Sequence, residues 1–273
     1  MSGARVELRT TDGVMDVYTF QPQGSGPWAA VIVYMDAYGI RPDLDSMAQR
    51  LADAGYFVVV PNLYYRTHDF TPFDPKKIAA GDDAERARFR TQIDSINNTL
   101  VMRDTEAILG YLTTLEGGPG RPSGRPEPAE SDRRGRPSGR PERAVTAGKI
   151  GAVGYCMGGG FAISALGRFP DRVAAAASFH GGSLATDKPD SPHRLAPQMR
   201  GKLYVGVAGI DPGFPKEQQD RLEAALREGG VDYRLETYAG AKHGFAVTGH
   251  MVYDRQASER HWHTLLDLFR KNL

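Results

Sequence analysis

Residues 149–166 constrain this chain more than any other stretch. An apolar strand candidate containing Ile150, Ala152 and Val153 runs into Gly154-Tyr155-Cys156-Met157-Gly158. An apolar helix candidate with Phe161, Ala162, Ile163, Ala165 and Leu166 follows at once. A strand that becomes a helix this abruptly needs a sharp turn, with the apex backbone strained and its side chain exposed. The residues two before and two after the apex are crowded, so glycine suits both. G-x-C-x-G is the cysteine form of the G-x-S-x-G nucleophile elbow. The free N–H groups at the start of the new helix favour a thiolate and an oxyanion. The competing reading is a buried packing cysteine in a Gly-rich turn. The strand, both glycines and the helix together favour the nucleophile.

The rest of the chain alternates in a way that suits such a unit. Residues 5–20 read as a hairpin turning at Asp12-Gly13. Residues 28–35 and 56–60 are near-continuous apolar runs, as strands covered on both faces should be. Between them lies a helix candidate capped by Asp43 and closed by Gly55, which implies a right-handed parallel unit. Residues 63–81 read as a long loop, and 82–93 and 97–115 as helices. Strands are expected over 172–179, 202–208 and 233–238, a loop over 183–200, and helices over 215–228 and 253–273. The alternation predicts one α/β domain, a doubly wound and mostly parallel sheet with helices on both faces. Ligands of such sheets sit beyond the carboxyl ends of the strands. Asp36, Cys156, His180, Asp211 and His243 all fall at or just past such ends.

Residues 116–143 differ in kind. They are Gly, Pro, Arg, Ser and Glu with almost nothing apolar, and residues 120–127 recur as 135–142. Such a segment cannot bury enough apolar surface to offset its ordering entropy, so a disordered insertion is expected. A net charge of +1 suggests neither nucleic acid nor an anionic membrane as partner. The single cysteine excludes an internal disulfide, and residues 1–10 lack an apolar signal-peptide core. A cytoplasmic protein is the expectation. Neither a metal-ligand spacing nor a cofactor motif is visible, so no metal and no cofactor are expected.

A thiol needs a base, and the base needs a third group to orient it. Asp211 stands in a tight turn before Pro212, and His243 in a short loop flanked by Gly240 and Gly244. Taken singly, each is matched by a plainer reading: a turn aspartate and a surface histidine. Their order after Cys156, acid and then base, favours the triad. Of the other histidines, His68, His193 and His250 lie in polar loops, and His261 and His263 on the last helix read as exposed. His180 competes as base, but it precedes Asp211 and is read as lining the pocket.

Four segments, residues 31–39 (VIVYMDAYG), 60–64 (VPNLY), 151–160 (GAVGYCMGGG) and 241–245 (AKHGF), give a chain that resembles the dienelactone hydrolase family of the α/β-hydrolase superfamily. The resemblance implies an α/β-hydrolase fold with Cys156 as nucleophile, His243 as base and Asp211 as its orienter. It also implies an oxyanion hole from the N–H groups of Ala37 and Met157. The sequence departs from the family at two places and matches it at a third. Asp36 stands where the family has a glutamate that holds the resting thiol. Val247 follows Phe245-Ala246 where lactone-cleaving members place a carboxylate-gripping arginine. A second substrate-gripping arginine matches Arg86, with Arg88 and Arg90 close by. A thiol pKa of about 8.5 adds a limit, since a simple alkoxide leaves less readily than the thiolate. Enol, aryl or thiol leaving groups are favoured. The expected activity is hydrolysis of an activated ester or lactone through a cysteine acyl-enzyme. The alternatives are a general carboxylesterase and a catalytically silent binding protein of the same fold. The partner is a small ester or lactone; monomer and homo-oligomer both stay open.

Overall fold

A computed structural model describes residues 3–67, 71–116 and 144–273. Eight strands form one sheet in the order β1-β2-β4-β3-β5-β6-β7-β8. β1 (Ala4–Thr10) and β2 (Gly13–Phe20) make the expected hairpin, and β2 runs antiparallel to β4 (Phe57–Pro61). β3 (Ala30–Tyr34), β4, β5 (Ile150–Tyr155), β6 (Val173–Phe179), β7 (Lys202–Ile210) and β8 (Asp232–Lys242) are parallel. β3, β4, β5 and β6 are buried along their length because helices cover both faces. α1 (Pro42–Asp53) and α7 (Arg255–Asn272) share one face, joined by the Arg50–Glu259 pair. α4 (Asn98–Leu115) and α5 (Met157–Arg168) pack on the other, with α6 (Lys216–Glu228) beyond them.

The chain steps from β3 outward to β4 and then returns to the other side of β3 as β5. The loops after β3 and β5 therefore diverge from a switch point, where open α/β sheets hold ligands. Register then decides which residues face each other there. Tyr34 pairs with Gly154, and Tyr155 with Phe179. Two residues on from Tyr34 and Gly154, Asp36 and Cys156 come level; one on from Tyr155 and Phe179, Cys156 and His180 do. Further along, Ile210 pairs with Lys242, so the next residues, Asp211 and His243, are neighbours. That last pairing exists because β7 and β8 run longer than expected, past a bulge between Ala208 and Ile210.

Other boundaries differ for local reasons. α1 starts at Pro42, whose fixed φ suits a first helical turn, so Asp43 lies inside the helix rather than capping it. The expected loop over 63–81 carries a short 3₁₀ turn (Tyr65–Thr67) and α2 (Pro75–Ala80), the latter capped by Asp74. Residues 68–70 lie outside the described residues. A seven-residue 3₁₀ helix (Pro192–Gln198) interrupts the expected loop over 183–200. Glu116, counted with the insertion, belongs to the body. It bridges Val145 through its backbone, and its carboxylate accepts from Arg172 at 2.6 Å. Residues 117–143 lie outside the described residues. His261, read as exposed, is fully buried on α7, between the Tyr155 hydroxyl and the Ser258 carbonyl. Its face of α7 packs on the sheet, and burial holds its pKa down at about 3. No described helix is long and apolar enough to cross a membrane.

Candidate active site

Cys156 sits between β5 and α5 with φ 54° and ψ −121°, a left-handed conformation that costs a non-glycine residue energy. The surrounding backbone imposes it. The Cys156 N–H donates to the Phe179 carbonyl at 3.1 Å, and the Cys156 carbonyl accepts from Gly159 at 3.1 Å. Both elbow glycines are sterically required. A Cβ on Gly154 would overlap the Gly158 carbonyl, and one on Gly158 would overlap the carbonyls of Tyr34 and Met35. The turn thus presents Cys156, partly exposed, to a cavity of about 330 Å³. Ile93, Ile96, Phe161 and Pro192 give this cavity apolar walls, and Thr186 and Lys188 a polar rim. A larger cavity of about 540 Å³ lies beside it between α4 and α5 and does not reach the thiol.

His243 Nδ1 lies 2.7 Å from Asp211 Oδ2, and Asp211 Oδ1 accepts the Gly213 N–H at 2.8 Å. The Asp211 side chain is 2% exposed, so its carboxylate is held by protein groups rather than water. Nδ1 of His243 therefore carries the proton that Asp211 accepts, which leaves Nε2 for the thiol. Burial pushes His243 down, but its hydrogen bonds with Asp211 and Cys156 outweigh this and hold its pKa at about 10. A positively charged imidazole beside the sulfur is what a thiolate needs.

Ala37 and Met157 both line the cavity. Met157 opens α5, where an N–H has no intrahelical acceptor. The peptide carrying the Ala37 N–H is fixed by a turn in which Gly39 N–H donates to the Asp36 carbonyl at 3.0 Å. The next peptide is held from both sides. Tyr64 donates to the Ala37 carbonyl at 2.8 Å, and the Tyr38 N–H donates to Asp36 Oδ1 at 3.0 Å.

Four expectations meet a different geometry. Asp36 comes level with Cys156 but does not hydrogen-bond it. Its two oxygens accept from the Arg41 guanidinium at 2.6 and 2.7 Å, and Oδ2 lies 3.3 Å from His250 Nε2. Burial pushes the carboxyl up, but His250 and Arg41 overcome this and hold it at about 2. Arg86 lies off the Cys156 cavity: its Nε donates to the Ile78 carbonyl and ties α2 to α3 (Asp83–Asp94). Val247 is buried, with its N–H on the Gly244 carbonyl, because the loop after His243 turns into the core. His180 is fully buried behind the elbow instead of lining the cavity.

Sequence reasoning also missed Arg41 and His250. Arg41 follows Asp36 by five residues, a spacing that signals nothing by itself, and His250 comes from a distant polar loop. Asp43 adds to this strap by accepting from Thr248 Oγ1 and the Gly249 N–H. The β3 loop and the loop after His243 are thereby fastened to each other. Replacing Arg41 with Met should leave a buried, undercompensated carboxylate and cost about 3–5 kcal/mol in urea unfolding at pH 7. A loss below about 1 kcal/mol would show that His250 and the Tyr38 N–H suffice. Among the described residues, no group of three or more His, Cys, Asp or Glu is placed to hold a metal ion.

Comparison with known proteins bears on the fold and the family. A Synechocystis protein named "Putative carboxymethylenebutenolidase" is 26% identical over 261 residues, covering 94% of this chain and 91% of its own. The solved structure titled "Putative Dienelactone Hydrolase" from Klebsiella pneumoniae superposes with a TM-score of 0.74 at 17% identity, over 98% of both chains. A dienelactone hydrolase-like promiscuous phosphotriesterase from metagenomic libraries gives 0.68 at 22% identity, again over 98% of both. At these identities the two structures speak for the fold, which is that of α/β-hydrolases. The profile of the dienelactone hydrolase family matches residues 15–121 and 139–273, and with a match over most of its length the chain belongs to that family.

Proposed function

We propose that this hydrolase of esters or lactones works through a cysteine acyl-enzyme. The observation that carries the reading is the pairing of a strained, cavity-facing Cys156 with an imidazole that Asp211 holds at 2.7 Å. The Cys156 sulfur, its proton passed to His243 Nε2, attacks the substrate carbonyl carbon. The carbonyl oxygen becomes an oxyanion, received by the N–H groups of Ala37 and Met157. Collapse expels the leaving group, which takes the proton back from His243. A water then gives its proton to His243 and attacks the thioester. Collapse of the second intermediate releases the acid and restores the thiol. Asp211 keeps its charge throughout and stabilises the imidazolium. The leaving group must compete with a thiolate, which favours enol, aryl or thiol esters. The apolar walls formed by Ile93, Ile96 and Phe161 suit a small uncharged acyl or aryl group. Neither Arg86 nor Val247 supplies a carboxylate grip.

The test is to trap the intermediate. Protein mixed with p-nitrophenyl acetate and acid-quenched within the first turnover should carry one acetyl group, located by peptide mass spectrometry on Cys156. Turnover without an adduct, or an acetyl on another residue, would sink the acyl-enzyme reading.

A further inference from the structure

His180 is an expensive residue at its position. It has no solvent exposure, and its backbone adopts φ 40°, which a non-glycine residue rarely does. Its Nε2 is buried with no hydrogen-bond partner among the described residues. A buried polar atom left unpaired costs about 1–3 kcal/mol. Nothing in the hydrogen-bond accounting demands an imidazole here. Among the described residues the one hydrogen bond its Nδ1 makes is with the Cys156 N–H at 3.2 Å, and that N–H already has the Phe179 carbonyl at 3.1 Å. An apolar side chain of similar size would leave no donor unsatisfied.

What the imidazole does is touch both halves of the reacting pair. On one side it accepts from the nucleophile's own N–H. On the other its ring meets the His243 ring edge-on, with centroids 5.2 Å apart, and the Phe245 ring, also edge-on, at 5.3 Å. The Cys156 N–H fixes the peptide plane that sets φ of Cys156, and hence the direction of the sulfur. The ring contact limits the tilt of His243. Because Nδ1 accepts, the proton of the neutral ring is on Nε2.

We propose that His180 is a positioning residue, which sets the Cys156 sulfur and the His243 imidazole at reacting distance by gripping the nucleophile's N–H and backing the base. The inference rests on the Cys-His-Asp reading. A displacement of about 1 Å at a reacting pair can cost on the order of 10²-fold in rate. Strain of this kind, a buried unpaired atom and a left-handed backbone, is commonest where function requires it.

His180→Leu and His180→Asn separate this role from plain packing. The Asn Oδ1 reproduces an Nδ1 acceptor, whereas Leu removes both the acceptor and the unpaired Nε2. For His180→Leu we expect a melting temperature equal to or above that of the wild type. Its kcat on p-nitrophenyl acetate should fall by roughly 10- to 100-fold, with KM changed less than threefold. The rate of Cys156 alkylation by iodoacetamide at pH 7 should fall with it. His180→Asn should recover most of kcat and of the alkylation rate. The proposal is overturned if His180→Leu keeps the wild-type kcat and alkylation rate. It is equally overturned if the Leu and Asn variants lose kcat alike, or if activity falls only in step with melting temperature. Cys156→Ala run alongside tells the two readings apart. Activity surviving that substitution would remove the nucleophile itself, whatever the His180 variants do.

Discussion

Cys156→Ala should lower aryl-ester hydrolysis by on the order of 10⁴ or more, without unfolding the protein. The large effect follows from where the sulfur sits. It is the one nucleophilic group of the elbow that faces the cavity, and no other described nucleophile is paired with His243. The small effect on stability follows from what alanine keeps. Its Cβ is unchanged, so the strain at φ 54° is the same in both proteins. The removed atom faces a cavity, so no packed core is hollowed. Steady-state kinetics with p-nitrophenyl acetate and a thermal melt on the same preparation check both halves. A folded variant that keeps most of its rate would falsify the assignment of Cys156.

Asp211→Asn should cost nearly as much activity, again on the order of 10⁴ in kcat. Asparagine can turn its amide N–H toward His243 Nδ1. The ring proton then moves to Nε2, which can no longer take the proton of the thiol. The same substitution carries a stability signature whose sign is set by His243. Its pKa is about 10 when folded and about 6.5 when unfolded. Folding therefore favours the protonated ring. That stabilisation is fully present below pH 6.5 and is lost as pH rises through 10. Asp211 supplies part of it, and about 2 kcal/mol is the expected deficit of the variant at pH 6. The deficit should shrink by pH 10, where the wild-type ring is also losing its proton. Urea unfolding of both proteins at pH 6 and pH 10 measures this. A deficit that stays constant, or grows with pH, would show that Asp211 does not charge the ring.

How far the sequence could be read depends on which force set each feature. Strands β3 to β7 were legible because a strand covered on both faces must be apolar along most of its length, and 28–35, 56–60 and 173–177 are. The elbow was legible because its constraint is local. Only glycine tolerates the carbonyls of Gly158, Tyr34 and Met35 that crowd Gly154 and Gly158. Asp211 and His243 could be proposed as partners because each ends a strand in the parallel series. Arg86 went astray for the opposite reason. A helix with Arg86, Arg88 and Arg90 does not announce which arginine faces a cavity, and Arg86 turned back onto the Ile78 carbonyl. Val247 holds the place after Phe245-Ala246 in the sequence. Only the inward turn of that loop, held by Val247 N–H on Gly244, buries it.

The sequence by itself determined the parts whose physics is local: the apolar runs that must be strands, the glycines the elbow cannot do without, and a single thiol at the turn. Tertiary structure alone decided what depends on register between segments far apart in the chain. The pairing of Tyr155 with Phe179 sets His180 against the Cys156 N–H, and that of Ile210 with Lys242 sets Asp211 against His243. It also decided the fate of Asp36. A carboxylate buried after β3 must find a cation; Arg41 supplies it, and His250 from a loop 214 residues away adds a contact at 3.3 Å. Such pairings are long-range because they depend on how strands align and loops fold back, and composition, periodicity and spacing carry no record of either.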